Sequence, residues 1–455
     1  MQEKECSTTG MNETNKTKKG RNAVQETISS PRSLKGTLDV PGDKSISHRS
    51  LILNALSSGS AVVKGLSSGE DVLSTKKILQ DIGVQIEDGI TQGEYKIIGN
   101  HGKFTESSGI LDAGNSGTSM RLISGVLASQ NIFSVLTGDD SLVTRPMGRV
   151  INPLTEMGAT ILGRNNNSLA PFAIYGGNLT GIKYSMPVAS AQVKSCLLIA
   201  GLSASTETTL VQPAVSRDHT ELMLSAMGCN VKSAGLNLTL EPTKLEAIDV
   251  TVPGDISSAA FWIIAALCHP DADLLIRNVG INPSRIGILT ALKSMGAESS
   301  ITLLNNRIEG GEPVADIHVK SCKLNAVELD GDIIPLLIDE VPIIAIAACY
   351  AKGTTIIKDA AELKVKESDR IATTVEMVTN LGGKIEATDD GMIIEGTGNL
   401  SGATCDSYND HRLAMSASIA GLLASGATTI TNAEAASISY PTFWDQTKTL
   451  MNGNS

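Results

Sequence analysis

Short β-branched runs that close in a turn alternate along this chain with long, almost unbroken apolar stretches, and the alternation is periodic. The runs are marked by Val63, Leu136, Val211, Ile276, Ile357 and Ile430, in steps of 73, 75, 65, 81 and 73 residues. Runs of this kind read as strands. In step with them, six polar or glycine-containing turns, at Asp43, Asn115, Ser190, Asp255, Asp339 and Asp410, each open onto a helix-length apolar segment. A helix that is apolar on nearly every face must lie inside a domain, and the Ser, Asp or Asn at each opening suits an N-cap. A third series marks helix ends at Ile82-Gly83, Met157-Gly158, Met227-Gly228, Met295-Gly296 and Leu381-Gly382, with glycine where a left-handed C-cap is expected. A sixth copy would fall where the chain runs out.

Three series keeping one rhythm predict a unit of about 70 residues of mixed strands and helices, repeated six times. Val40-Pro41-Gly42-Asp43 and Val252-Pro253-Gly254-Asp255 begin almost identically and divide the units three and three. The expectation is an α/β protein with a first domain over 43–253 and a second over 32–42 and 254–455, the chain crossing near Gly42 and Gly254. Residues 1–31, rich in Lys, Thr, Asn and Glu and lacking the apolar core of a secretory signal, are expected to be a disordered tail.

Buried helices that point one way gather their N-termini, where free N–H groups and partial positive charge make an anion site. Two domains with helix starts facing each other would enclose a cleft suited to phosphates and carboxylates. Charged residues cluster beside the same turns. Lys44 opens the first helix, where a cation is disfavoured unless an anion binds, and Ser45 and Arg49 share a face four apart. The second opening, Asn115-Ser116-Gly117-Thr118, is small enough for a ligand to approach the backbone, and Arg145 follows it. Ser190-Ala191-Gln192 opens the third helix, with Arg217 downstream. Asp339 precedes the fifth apolar segment. Lys366-Glu367-Ser368-Asp369-Arg370 is expected to open a further helix, with Lys366 and Arg370 on one face, and Asp410-His411-Arg412 begins the sixth.

Composition narrows the ligand. The net charge of −11 argues against nucleic acid, which needs a basic surface. An anionic ligand must therefore be drawn by local Lys and Arg against the overall field. Seven cysteines without C-x-x-C spacing favour neither disulfides nor zinc and point to a reducing, cytoplasmic setting. No apolar run is expected to reach the length of a transmembrane helix, so no membrane partner is expected.

Seven segments now carry a resemblance: Pro41-Gly42-Asp43-Lys44-Ser45-Ile46-Ser47-His48-Arg49, Gly114-Asn115-Ser116-Gly117-Thr118, Arg145-Pro146-Met147-Gly148-Arg149, Ser190-Ala191-Gln192-Val193-Lys194-Ser195, Arg217-Asp218-His219-Thr220-Glu221, Val365-Lys366-Glu367-Ser368-Asp369-Arg370 and Asn409-Asp410-His411-Arg412. In this order, from about Leu34 to Trp444, they resemble the 5-enolpyruvylshikimate-3-phosphate synthase family, and the Ser-Ala-Gln and Arg-x-His-x-Glu forms are similar to its second class.

The resemblance implies a two-domain inside-out α/β barrel of six βαβαββ-type units. It implies transfer of the enolpyruvyl group of phosphoenolpyruvate to the 5-hydroxyl of shikimate 3-phosphate, in a monomer, with no cofactor and no metal. Carried over by position, Lys44, Ser45, Arg49, Ser190, Ala191, Gln192, Arg217, Asp339 and Lys366 would hold shikimate 3-phosphate. Lys44, Asn115, Gly117, Thr118, Arg145, Gln192, Glu367, Arg370 and Arg412 would surround phosphoenolpyruvate. Asp339 would be the base at the 5-hydroxyl with Lys44 assisting, and Glu367 the acid at the methylene. That acid role calls for a raised pKa, and the cations around Glu367 push the other way. Gly117 stands where glyphosate-tolerant members of the second class often carry Ala, which implies a roomier pocket and sensitivity to the herbicide. The nearest alternative is the related transferase acting on a UDP-linked amino sugar, which typically has Lys-Asn at the first turn and a loop cysteine. Here Lys44 is followed by Ser45.

Overall fold

The structure is a computed structural model that describes residues 24–452. The six apolar segments form the helices Lys44–Leu56, Gly117–Ala128, Ala191–Gly201, Ile256–Cys268, Val341–Tyr350 and His411–Leu423. Beyond their first turns they are buried almost residue for residue. Asp43, Ser190, Asp255 and Asp410 each accept a backbone N–H of the first turn. Two openings differ from expectation. In the second, the cap is Ser116, whose hydroxyl reaches the N–H of Ser119, and Asn115 lies one residue outside. In the fifth, Asp339 sits in a 3₁₀ turn, Ile338–Glu340, and the following helix has no side-chain cap.

The six marker residues lie in equivalent strands. Phe133–Thr137 pairs parallel with Leu111–Asp112 and antiparallel with Leu169–Tyr175, which in turn pairs with Thr160–Gly163. Four other sheets repeat this order around Ser60–Lys64, Thr208–Val211, Ala272–Gly280 and Gly353–Ile357. The sixth sheet has three strands: Thr404–Asp406 parallel to Ala427–Thr431, and Glu26–Ser29 antiparallel to the latter. With helices enclosed and each sheet exposing one face, the helices form the inside of each half and the strands its outside. The five glycines that close helices take φ from 77° to 114°, the left-handed region in which a Cβ would be strained.

Glu26–Ser29 corrects the expected tail. Its polar composition hides one apolar anchor, Ile28, which is fully buried against the second-domain core, so a strand begins inside the stretch read as disordered. Residues 1–23 lie outside the described residues. A second correction concerns the apolar stretch Gly331–Tyr350, whose 20 residues are enough by length and composition to cross a membrane. It is broken into short 3₁₀ and α pieces, and Val341–Cys349 is buried in a core.

Buried apolar side chains form two clusters, one drawn from Ile46 to Val252 and the other from Ile28 to Val40 together with Ile256 to Leu450. Where the chain passes between them, its two crossings lie side by side. Gly42 bridges Gly254, the Asp43 N–H donates to Pro253 O at 2.7 Å, and the Asp255 N–H donates to Pro41 O at 2.9 Å. A Cβ on Gly42 would fall 1.9 Å from Gly65 O, in the turn after Ser60–Lys64, so the packing of the first crossing against that turn requires glycine there.

Candidate active site

Helix starts from both halves converge on one cleft of about 390 Å³. The first residues of the Lys44, Gly117 and Ala191 helices face those of the His411 helix and of the helix Arg370–Asn380. Nine Lys or Arg side chains border the cleft against five carboxylates, so its lining is cationic although the chain as a whole is acidic. Such a lining inside a low-dielectric wall concentrates small anions.

All but one of the sequence-predicted site residues border this cleft. Lys44, Ser45, Arg49, Gly117, Thr118, Arg145, Ser190, Ala191, Gln192 and Arg217 come from one half, and Asp339, Lys366, Glu367, Arg370 and Arg412 from the other. The exception is Asn115, which stands behind the wall. Its amide donates to Asp139 at 2.8 Å and accepts from Arg145 at 3.2 Å, so it orients that arginine. The expected helical face shared by Lys366 and Arg370 does not form. The helix starts at Arg370 with Asp369 as its cap, and Lys366 and Glu367 belong to the loop before it. Asp369, three residues into the charged run, caps the helix and so starts it late, and the loop before it lets Lys366 and Glu367 turn inward separately.

The carboxylates meet through one guanidinium. Arg370, almost wholly buried, donates to Asp339 at 3.3 Å through Nη1 and to Glu367 at 2.7 Å through Nη2, while Nε grips the cap Asp410 at 2.8 Å. Ion pairs from the other half complete the bridge, with Arg217 on Asp339 and Arg145 on Glu367 at 3.3 Å. Lys366 adds a contact to Asp339 at 3.5 Å. Burial alone would raise the Asp339 pKa, but Lys366, Arg217, Arg412 and Arg370 outweigh it and hold the group well below the usual carboxylate range. Burial likewise opposes ionisation of Glu367, and Arg370, Arg145 and Lys44 among its neighbours hold it well below 4.5. The raised Glu367 pKa called for by an acid role is therefore not a property of the protein's own charges.

Lys44 is half-buried, and its desolvation disfavours the charge, yet Asp71 at 2.9 Å and Glu367 raise its pKa above the ordinary lysine value. It is thus an ammonium and can stabilise an anion but not take a proton. Arg49 is fixed by Thr220 and Ser195, each at 2.6 Å, and burial lowers its pKa to about 10, still cationic at neutral pH. Gln192 donates to Thr118 at 2.9 Å and accepts from Arg121 at 2.5 Å.

A sequence model of the EPSP synthase (3-phosphoshikimate 1-carboxyvinyltransferase) family matches residues 28–447. The chain belongs to this family. It is similar to the 3-phosphoshikimate 1-carboxyvinyltransferase of Desulforudis audaxviator, 50% identical over 420 residues, 91% of this chain and 97% of the relative. The enzyme of the same name from Crocosphaera subtropica is 54% identical over 417 residues, 90% of this chain and 92% of the relative. The solved structure of an EPSP synthase from Acinetobacter baumannii superposes with a TM-score of 0.84 at 44% identity, covering 95% of this chain and 98% of that one.

Within this EPSP synthase fold the cleft uses residues that sequence reading passed over. Arg121, one turn after Gly117 on the same helix, reaches Gln192 and the Pro146 carbonyl, and its four-residue spacing from Gly117 was a usable signal. Asp71, the partner of Lys44, sits on an ordinary amphipathic helix, Glu70–Asp81, and carries no local mark of its role. His411 is buried and its pKa is pushed down to about 4, so it faces the cleft uncharged at neutral pH.

Proposed function

We propose that this chain transfers the enolpyruvyl group of phosphoenolpyruvate to the 5-hydroxyl of shikimate 3-phosphate, releasing phosphate, as a monomer in the cytoplasm. The observation that carries this reading is Arg370 bridging Asp339 and Glu367: two carboxylates, fixed by one guanidinium in a cationic cleft, are available for the two proton transfers.

The substrates bring phosphates and carboxylates, and Arg145, Arg370 and Arg412 offer planar forks that bind such groups through paired N–H donors. Lys44, Arg49, Arg217 and Lys366 surround the space beside Asp339, which suits shikimate 3-phosphate. Gly117 and Thr118, at a helix start, leave backbone N–H groups open to phosphoenolpyruvate. Asp339, already ionised, takes the proton of the 5-hydroxyl as its oxygen attacks C2 of phosphoenolpyruvate. Glu367 gives a proton to C3, making a methyl group, so that C2 becomes tetrahedral. Glu367 then recovers a proton from the methyl, the C2–O bond to phosphate breaks, and the enol ether forms. Lys44 stabilises charge on the departing phosphate. For Glu367 to begin protonated, the substrates' negative charge must offset Arg370 and Arg145, which raises its pKa on binding.

A coupled assay of phosphate release tests this directly. Turnover requires both phosphoenolpyruvate and shikimate 3-phosphate. Phosphate released at the same rate without shikimate 3-phosphate, or no release with both, contradicts the reading.

A further inference from the structure

Beneath the cleft, at the two crossings, a buried cation joins groups from both halves without bordering the substrates' space. Arg285 lies in the turn Asn282-Pro283-Ser284-Arg285, which is pinned on the first half by Ser284 Oγ and Asn282 Nδ2 donating to Asp218 at 2.8 and 2.9 Å. It is 3% exposed. Its Nη2 meets Asp255 at 3.1 Å, Ser257 Oγ at 2.7 Å and, more distantly, Asp43 at 4.0 Å. Each carboxylate caps a helix of a different half: Asp43 accepts from Ile46 N at 2.8 Å and Asp255 from Ser257 N at 2.8 Å. Asp255 also accepts the backbone N–H of Lys44 at 3.3 Å, so the second half's carboxylate helps hold the first residue of the first half's helix. On the other side, the Ser257 carbonyl accepts from Arg412 at 3.3 Å, and Ser257 Oγ donates to Glu340, 3.9 Å from Arg412.

Two buried carboxylates facing one junction repel. Burial and then Asp255 raise the Asp43 pKa. Arg285 is the arginine that lies between both, with His219 also facing Asp43 and Arg412 also facing Asp255, and burial's opposition to its charge is overcome by Asp255, Glu340 and Asp43. Leaving such a pair uncompensated is costly, and the structure would relieve it by parting the crossings or taking up a proton. Parting of the crossings moves Lys44 relative to Arg412, the cations that face the substrates from the two walls, whereas a proton on one carboxylate relieves the repulsion without it.

We propose that Arg285 is a positioning residue for the reaction: by neutralising Asp43 and Asp255 together at the crossings, it sets the separation of Lys44 and Arg412 across the cleft. The inference rests on the enolpyruvyl-transfer reading. A displacement of about an ångström at such a site costs on the order of a hundredfold in rate. Arg285→Met should therefore raise KM for both substrates and lower kcat/KM by about tenfold to a hundredfold. A loss of structure alone would instead reduce kcat through a smaller active fraction and leave KM unchanged. Arg285→Lys restores the charge and should recover most of the loss. So should the double variant Asp43→Asn/Arg285→Met, because Asn keeps the cap while one carboxylate is removed with its cation.

The measurement is steady-state kinetics on wild type and these three variants, with thermal midpoints alongside. Folded Arg285→Met with wild-type KM values, or a double variant no better than the single, overturns the proposal. Where Arg285→Met does not fold, the double variant decides. Folding with KM near wild type supports the proposal, and failure to fold or KM raised by about tenfold or more overturns it. Wild type without turnover overturns the functional reading itself and this inference with it, whereas active wild type beside unaffected variants overturns the inference alone.

Discussion

Gly117 and Glu367 show how single residues set the properties of the cleft. A Cβ on Gly117 would lie 2.9 Å from Arg121 Nη1 and 3.6 Å from Arg145 Nη1. The end of a flexible side chain can give way, so Gly117→Ala should fold normally while displacing the Arg121 guanidinium and coming into contact with that of Arg145. We expect KM for phosphoenolpyruvate to rise several-fold and inhibition by glyphosate to weaken more than that, read from paired KM and inhibition curves. For Glu367, the folded pKa lies below the unfolded value of 4.5, so the folded state binds fewer protons. Its contribution to stability is complete above that value and is lost as pH falls through the folded pKa. Wild type should lose thermal midpoint on acidification below about pH 4.5, and Glu367→Gln should lose it less steeply over the same range. At this scale the sequence displayed the residues that sit in ordered motifs, Lys44, Arg145 and Arg370 among them. It hid Asp71, whose role arises only when two helices pack, and it did not reveal the balance of burial against cations that decides protonation of Glu367.

Elements explain where prediction held and where it slipped. The six central helices were legible because burial on all faces leaves a largely apolar run behind each polar opening, and the marker strands because each occupies the same interior place in its sheet. Glu26–Ser29 was not legible, since a four-residue strand at the rim of a sheet buries one side chain and leaves polar neighbours exposed. It supplies Ala427–Thr431 with the antiparallel neighbour that a later strand of the same unit supplies in the other five sheets. Ile28→Ala should accordingly cost about 2–5 kcal/mol, as for other fully buried aliphatic truncations, and denaturant titration reads that loss. The Arg370 helix began later than the charge pattern suggested because Asp369 accepts from both Ile371 N and Ala372 N at 3.1 Å. Asp369→Ala should lower stability by about 1 kcal/mol and, by loosening the turn that carries Glu367 and Arg370, raise KM for phosphoenolpyruvate.

The whole molecule turns an acidic chain into a receptor for acidic metabolites. Helix starts from both halves, each bringing partial positive charge, are gathered with nine basic side chains at one cleft while the excess carboxylates lie elsewhere. The sixfold rhythm made this arrangement foreseeable. The ion pairs across the cleft were not foreseeable, because Arg217 and Asp339, or Arg145 and Glu367, lie more than a hundred residues apart in the chain. The proposed mechanism has Asp339 and Glu367 carry the proton transfers there. It is tested most directly by a single-turnover measurement of phosphate formed from stoichiometric phosphoenolpyruvate and shikimate 3-phosphate, on wild type, Asp339→Asn and Glu367→Gln. Both variants should fold and bind both substrates while the rate of phosphate formation drops by about a hundredfold to ten-thousandfold. Near-normal rates in both would contradict it.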